Sequence, residues 1–258
     1  MIRGTVLSQP VSSIVADDLP GTSIVVAVGG DGTVSDVATA LRGSEIPLAI
    51  IPGGTTNMVA KVNRVPGDLR GAVALIFGNH RIERIDVGRC GEKSLLHIGG
   101  SGLDARIFER SHQNLKRKIG WLAHGPPALS SVRLPSSRYS ITVDGRTVVT
   151  HSRLVLILNS ASLISARLSL FPGVSRTDGL FSVIIFTADS GLSVVSSLAD
   201  ILTFGRGKSP YMIRLDGQDI SVEADPAMPF ELDGDVVGMT PFRVIVEPAA
   251  LSMIRGGR

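Results

Sequence analysis

In the first third of the chain, short apolar runs that are typical of buried strands alternate with stretches whose pattern is typical of helices. Residues 23–28 (SIVVAV) form a short apolar run, which predicts a strand covered on both faces. A glycine-rich break follows, and a helix is predicted over 33–41, with Thr33 and Asp36 at capping-box spacing. The next predicted elements are a strand at 46–51 and helices over 58–63 and 68–77. Strand and helix in such succession predict a parallel α/β layer.

The pattern changes near Ile85, after which the apolar stretches are short and separated by Gly, Ser, Pro and Asn. Residues 138–143 and 146–150 flank Asp144 and Gly145, a dipeptide that accepts the positive φ angles of a type I′ turn. They therefore predict a β-hairpin. Further strands are predicted at 154–158 and 180–186, and a helix over 190–204. We interpret this part as a second, largely antiparallel β domain.

Composition removes several classes of protein from consideration. The chain has 258 residues, of which 43% are hydrophobic and 19% charged, so it can bury a sizeable core. Its one cysteine excludes a disulfide framework and a multi-cysteine zinc site, and suits the cytoplasm. A net charge of +3 and 4% aromatic residues do not predict nucleic-acid binding. We find no apolar run of about 18 residues that would span a membrane.

The segment with the clearest chemical signal lies between the first predicted strand and the first predicted helix. It consists of Gly29, Gly30, Asp31, Gly32 and Thr33. Glycines at such a place let the backbone approach a phosphate, and the amides of a helix N-terminus favour an anion. The alternative is an ordinary strand-to-helix turn, in which Gly and Asp are also common. Spacing alone does not separate the two interpretations.

Five short motifs in a fixed order resemble the diacylglycerol kinase catalytic-domain family, which includes bacterial lipid kinases and sphingosine kinases. In chain order they are GGDGT at 29–33, PGGTTN at 52–57, GSGLDA at 100–105, TDGL at 177–180 and DGD at 233–235. Each motif is weak by itself, but five in the right order are specific. The resemblance runs from about Ile24 to Pro248 and so covers most of the chain.

The resemblance implies a fold of two domains. The first is an α/β domain similar to those of NAD kinases and phosphofructokinases, and the second is an all-β sandwich. We expect the α/β domain to cover residues 1–85, with 241–258 returning to it, and the sandwich to cover 86–240. ATP would lie in the cleft between the two domains.

The resemblance also implies roles for individual residues. The GGDGT residues would hold the phosphates of ATP, with Gly54, Thr55 and Asn57 in the same pocket. Mg²⁺ would be bound at Asp31 and Asp178. Either Asp233 or Asp235 would be the general base that takes the proton of the acceptor hydroxyl. Of the two we expect Asp233, because Asp235 replaces a glutamate of the family and its side chain is one methylene shorter.

The implied activity is ATP-dependent phosphorylation of a hydroxyl on diacylglycerol or a related lipid. Two alternatives stay open: an NAD kinase-like enzyme, which shares GGDG, and an inactive nucleotide- or lipid-binding pseudokinase. The family has a first strand and an N-P-x-S-G loop well before GGDGT, whereas only 28 residues precede it here. We therefore expect either a true start upstream of Met1 or a shortened chain.

A lipid kinase must reach a substrate at a membrane surface, so a peripheral location at the inner face of the membrane is expected, and a homodimer is left open. A basic cluster beside a tryptophan is the candidate membrane contact, with a solvated helix face as the alternative. Its members are Arg106, Arg110, Lys116, Arg117, Lys118 and Trp121.

Overall fold

The computed structural model describes residues 19–102, 136–165, 168–169, 171–187 and 210–257, together with the single positions 11, 13 and 15. The helices within the long ranges are α1 (Asp31–Leu41), α2 (Met58–Val62) and α3 (Leu69–Phe77). The first strands are β1 (Val25–Gly29), β2 (Leu48–Pro52), β3 (His80–Cys90), β4 (Lys93–Leu95) and β5 (Ile98–Gly102). The later strands are β6 (Ser137–Val143), β7 (Arg146–Ser152), β8 (Leu154–Leu158), β9 (Ser162–Ser165), β10 (Leu168–Ser169), β11 (Phe181–Phe186), β12 (Met212–Gly217), β13 (Asp219–Asp225), β14 (Pro229–Leu232), β15 (Asp235–Met239) and β16 (Phe242–Gly256).

Several sequence predictions lie outside the described residues. They are the helix over 190–204, the basic cluster with Trp121, and the second half of GSGLDA, Leu103 to Ala105. Within the described ranges, no helix is both long enough and apolar enough to cross a bilayer.

The parallel layer predicted for the first third is present. Strands β1 and β2 pair in parallel, with Val25 opposite Leu48 and Gly29 opposite Pro52. The loops that follow these two strands therefore meet at one edge of the sheet, where α/β proteins bind ligands. Helix α1 packs on the layer through the buried side chains of Val34, Val37, Ala38 and Leu41.

The predicted start of α1 is wrong by two residues. The helix begins at Asp31, and its N-cap is Gly30, whose extended backbone offers no side chain for capping. The predicted capping box of Thr33 and Asp36 is therefore absent, and Asp36 instead lies 3.4 Å from the ammonium group of Lys93. Glycine takes the capping position here because a Cβ atom on Gly30 would lie 3.3 Å from the Cα atom of Gly54 in the loop after β2.

Two antiparallel sheets form the second part of the molecule. One has the order β12-β11-β8-β5-β14-β15, and the other consists of β16-β13-β6-β7 from the larger, eight-stranded sheet. Alternate side chains of both sheets fill the space between them, among them Tyr139 and Ile141 from one sheet and Ile157 and Val183 from the other. The predicted hairpin is confirmed, since β6 and β7 flank a turn in which Asp144 and Gly145 both have positive φ.

Strand β16 connects the two parts of the fold. Its Met253 lies opposite Leu48 in a parallel pair with β2, and its Ile245 lies opposite Asp219 in an antiparallel pair with β13. Strand β3 pairs along β16 on the other side, with a shift of register between Glu247 and Leu251. The domain boundaries expected after residues 85 and 240 stay predictions, and β3 runs across the first of them as one strand.

Candidate active site

The loops after β1 and β2 lie backbone against backbone. The amide of Gly53 donates a hydrogen bond to the carbonyl of Gly29 at 2.9 Å. A Cβ atom on Gly54 would lie 2.6 Å from the Cα atom of Gly30, so no side chain fits between the loops. The result is a surface of bare backbone beside the N-terminus of α1. Backbone amides at such a place bind phosphate, so the fold provides a cradle that suits the phosphates of ATP.

The side chains of both loops serve mainly to hold this shape. Asn57 accepts a hydrogen bond from the amide of Gly54 at 2.9 Å and donates one to the carbonyl of Gly54 at 2.7 Å. Its amide group is therefore used within its own loop. Thr33 lies over Gly29, where a Cβ atom would come within 2.6 Å of the threonine hydroxyl, and Thr55 is exposed at the surface.

Asp31 connects the starts of two helices. Its Oδ1 atom accepts a hydrogen bond from the amide of Val59 at 2.9 Å, in the first turn of α2. Burial raises the pKa of Asp31, and the nearby carboxylate of Asp235 adds to the rise, whereas the amides of Val59 and Met58 and the charge of Lys61 oppose it. A cation at this position would remove the charge repulsion between the two carboxylates.

Asp233 and Asp235 occupy one turn between β14 and β15 but have different surroundings. The carboxylate of Asp233 accepts hydrogen bonds from the amides of Leu96 and His97, both at 2.8 Å, and of Ile98 at 3.2 Å. Burial raises its pKa to about 7, against the effect of these three amides and with a small contribution from the charge of Asp31. Asp233 therefore holds the segment between β4 and β5 in place.

Asp235 lies at the glycine loops themselves. Its Oδ2 atom occupies the space where a Cβ atom on Gly32 would be, 2.5 Å from that ideal position. The residue is exposed, so its carboxylate is open to a substrate. The expectation that Asp233 is the base and Asp235 falls short therefore has no support in the geometry: the shorter Asp235 side chain reaches the cradle because the turn brings it against a glycine.

Asp178, the second predicted metal ligand, lies in a different region. It is exposed, and its carboxylate accepts a hydrogen bond from the amide of Leu180 at 3.1 Å within its own loop. This loop is fixed by Asp86, which accepts hydrogen bonds from the amides of Gly179 at 2.7 Å and Ala249 at 2.8 Å. Metal binding at Asp178 stays a prediction, since none of the described hydrogen bonds connects it with Asp31.

The chemistry of the site fits Mg²⁺ only as an ion that the protein and the phosphates of the substrate bind together. Among the described residues, no three His, Cys, Asp or Glu side chains are grouped closely enough to hold a metal ion. Mg²⁺ is commonly bound by one or two carboxylates together with substrate phosphates and water, and that arrangement needs only Asp31 beside the cradle.

Sequence reasoning did not find two buried polar residues behind the Asp233 turn. His97 is buried without a hydrogen-bond partner for either ring nitrogen in the described part of the chain, and burial lowers its pKa to about 4. Asn159 donates to the carbonyls of Asp86 and Leu96. Neither residue lies in a motif, because their partners come from segments far apart in the sequence.

Comparison with known proteins agrees with this architecture. The family model of the diacylglycerol kinase catalytic domain matches residues 8–90, and that of the YegS C-terminal NAD kinase beta sandwich-like domain matches residues 98–255. A crystal structure of a diacylglycerol kinase from Bacillus anthracis superposes with a TM-score of 0.73 at 20% identity, covering 99% of this chain and 84% of that one. The predicted fold class, an α/β domain followed by an all-β sandwich, is confirmed.

Proteins with similar sequences support the same family. An uncharacterized protein of Synechocystis is 30% identical over 242 residues, which are 92% of this chain and 55% of that protein. A probable lipid kinase YegS-like protein of Pseudomonas fluorescens is 27% identical, covering 90% of this chain and 77% of the relative. A diacylglycerol kinase of Mycobacterium tuberculosis is also 27% identical, covering 91% and 77%.

The family models and the relatives place the chain in the lipid kinase class. The chain belongs to the diacylglycerol kinase catalytic-domain family, as the resemblance of its five motifs predicted.

Proposed function

We propose that the chain is an ATP-dependent kinase that phosphorylates a hydroxyl group of diacylglycerol or a related lipid at a membrane surface. The observation that carries the proposal is the position of Asp235, whose carboxylate lies against Gly32 at the edge of the backbone cradle. Phosphoryl transfer needs little more from a protein than a held phosphate chain and a carboxylate near the attacking hydroxyl. The backbone cradle and the carboxylate of Asp235 at this edge of the sheet support the proposal.

In this proposal Asp235 is the general base. The acceptor oxygen forms a bond to the γ-phosphorus, the bond from that phosphorus to the oxygen bridging to the β-phosphate breaks, and the hydroxyl proton passes to the carboxylate of Asp235. Asp233 is the positioning residue, because its oxygens accept from the three amides of the segment beneath the turn. Asp31 would hold Mg²⁺ together with the phosphates, and the ion would neutralise charge during transfer.

The direct test is labelling with radioactive ATP in mixed micelles. We expect the purified chain to label diacylglycerol or another hydroxyl-bearing lipid and to leave NAD unlabelled. Asp235→Asn should abolish most of the labelling, whereas Asp225→Asn, the same change at an exposed position on β13, should not alter it.

Two outcomes would replace the proposal. Labelling of NAD alone would favour the NAD kinase-like alternative, since the acceptor hydroxyl would then belong to a nucleotide. Binding of ATP without labelling of any acceptor would favour the pseudokinase alternative.

A further inference from the structure

Two cavities that share Arg64 and Arg255 as lining residues lie at the end of α2 that is opposite the glycine loops. One has a volume of about 280 Å³ and the other of about 420 Å³. Arg64, which follows α2, and Arg255, near the end of β16, line both of them, Arg176 lines the first and Arg81 the second. Glu83 is the one acidic residue that lines either cavity in the described part of the chain. Four guanidinium groups around one carboxylate leave an excess of positive charge.

The carboxylate of Glu83 is already compensated. One of its oxygens accepts from Arg176 and the other from Arg255, so its charge is shared by two ion pairs. The remaining guanidinium groups of Arg64 and Arg81 have no ion pair or side-chain hydrogen bond with any described residue. The cavity therefore contains donors that no acceptor in the described part of the chain uses.

The strand pairing brings like charges together. Arg81 on β3 lies directly opposite Arg255 on β16, so both side chains stand on the same face of the ladder. Like charges in this position destabilise a sheet unless an anion lies between them. Arg176, from the loop before β11, is mostly buried nearby, and burial together with the charges of Arg255 and Arg64 lowers its pKa. The fold thus holds several arginines close together although their charges repel one another.

The remaining walls suit a phosphate group. The hydroxyl groups of Ser175 and Thr177 lie 3.2 Å apart in the wall of the first cavity. One donates to the other, and the accepting hydroxyl can donate its own proton to a further oxygen. Guanidinium groups bind phosphate with paired, charge-assisted hydrogen bonds, and a planar fork fits two phosphate oxygens at once.

We propose that this arginine cavity, formed by Arg64, Arg81, Arg176 and Arg255, is a second anion site that binds a phosphate monoester group. It is separate from the cradle for ATP, because it lies at the other end of α2 and is made of side chains rather than backbone. The phosphate is carried either by a lipid headgroup or by a small soluble molecule, and both present the same oxygens.

The site contacts the cradle through one short connection. Arg176 donates to the Oδ1 atom of Asn63 at 2.9 Å, and Asn63 donates to the carbonyl of Val59 at 2.8 Å. The amide of Val59 in turn donates to Asp31. Helix α2 therefore has the proposed anion site at its C-terminal end and the carboxylate of Asp31 at its N-terminal end.

The test uses inorganic phosphate as the probe and calorimetry as the measurement. Arg64→Gln and Arg81→Gln together remove two exposed charges but leave both ion pairs of Glu83 intact, so the fold should be unaffected. We expect the double variant to lose at least about tenfold in phosphate affinity, because each charge-assisted contact is stronger than a neutral hydrogen bond. Arg146→Gln, which removes one exposed charge from the β6–β7 hairpin, should keep the affinity of the unmodified chain.

A second variant separates the two anion sites. Gly54→Ala should weaken phosphate binding at the glycine loops and leave the arginine cavity intact. Phosphate binding that is lost in Gly54→Ala and unchanged in the arginine double variant would overturn the proposal, as would binding that neither change reduces.

Vesicles distinguish the two sources of the phosphate. Sedimentation with phosphatidylcholine vesicles, with and without phosphatidic acid, should show retention that depends on phosphatidic acid and on Arg64 and Arg81 if the ligand is a lipid headgroup. Phosphate binding that depends on the arginines, without such retention, supports the site and assigns it to a soluble phosphate.

Discussion

The sites at the two ends of α2 are built differently: the one at the N-terminal end consists of backbone, and the one at the C-terminal end consists of side chains. At the N-terminal end, two glycine loops touch at Gly54 and Gly30, backbone against backbone. At the C-terminal end, four arginines line the two cavities, and Glu83 lines one of them. The first site depends on residues that must have no side chain, and the second on long side chains that converge. Each can therefore be broken by a different kind of substitution.

The largest effect is expected at Asp235. Asp235→Asn keeps the size of the side chain and removes the proton acceptor, so turnover should fall by about 10²- to 10⁴-fold with little change in the affinity for ATP. Asp233→Asn should leave turnover much closer to that of the unmodified chain and lower stability by roughly 1–3 kcal/mol, because its carboxylate accepts from three amides. Steady-state kinetics and urea unfolding of both variants measure the difference.

A reversed result would assign the roles the other way. If Asp233→Asn stopped turnover and Asp235→Asn did not, the residue held by three amides would be the base. If both variants were fully active, the turn would have no part in the chemistry.

The next effect concerns the contact between the loops. Gly54→Ala places a Cβ atom 2.6 Å from the Cα of Gly30, so the loops must separate, and kcat/KM for ATP should fall on the order of 10²-fold. Gly53→Ala is the matched control, because its Cβ would lie 3.4 Å from the Cα of Gly29, close to ordinary contact. Its activity should stay within a few-fold of the unmodified chain. Equal losses in both variants would show that loop contact does not determine nucleotide binding.

How far the sequence predicted these features depends on how local they are. The glycine cradle was predictable because Gly29 to Thr33 and Gly54 to Asn57 are contiguous motifs at the ends of two buried strands. The arginine cavity was not predictable, since its residues are separated by up to 191 positions, from Arg64 to Arg255, and only the folded sheet brings them together. Which of Asp233 and Asp235 lies against the glycine loops was not predictable, because the length of a side chain is visible in the sequence and the path of the turn is not.

A smaller effect is expected where the sandwich is attached to the parallel layer. Asp86→Ala removes the acceptor for the amide of Gly179, a buried residue, and for that of Ala249, an exposed one. We expect stability to fall by about 1–3 kcal/mol, since an unsatisfied buried amide is costly. Asp144→Ala, which removes hydrogen bonds at an exposed hairpin, should cost less. Urea unfolding compares the two, and an equal loss would mean that burial of the Asp86 contacts has no influence.

The smallest net effect is expected in the pH dependence of stability, because two groups behind the Asp233 turn oppose each other. The pKa of Asp233 is raised from 3.8 to about 7, so within this range the folded state holds a proton that the unfolded state has released, and stability falls as pH rises. The pKa of His97 is lowered from 6.5 to about 4, so within that range the unfolded state holds the extra proton, and stability rises with pH. Asp31, whose pKa is also raised, adds to the fall. Between pH values of about 4 and 6.5 the slopes of Asp233 and His97 cancel.

Relative to the unmodified chain, Asp233→Asn should therefore make the free energy of unfolding increase with pH by about 1.4 kcal/mol per unit. His97→Gln should change the slope by a similar amount in the opposite direction. Urea unfolding at several pH values measures all three slopes. If the three were identical, neither group would titrate differently in the folded and unfolded chain, and the shifted pKa values would have no consequence for stability.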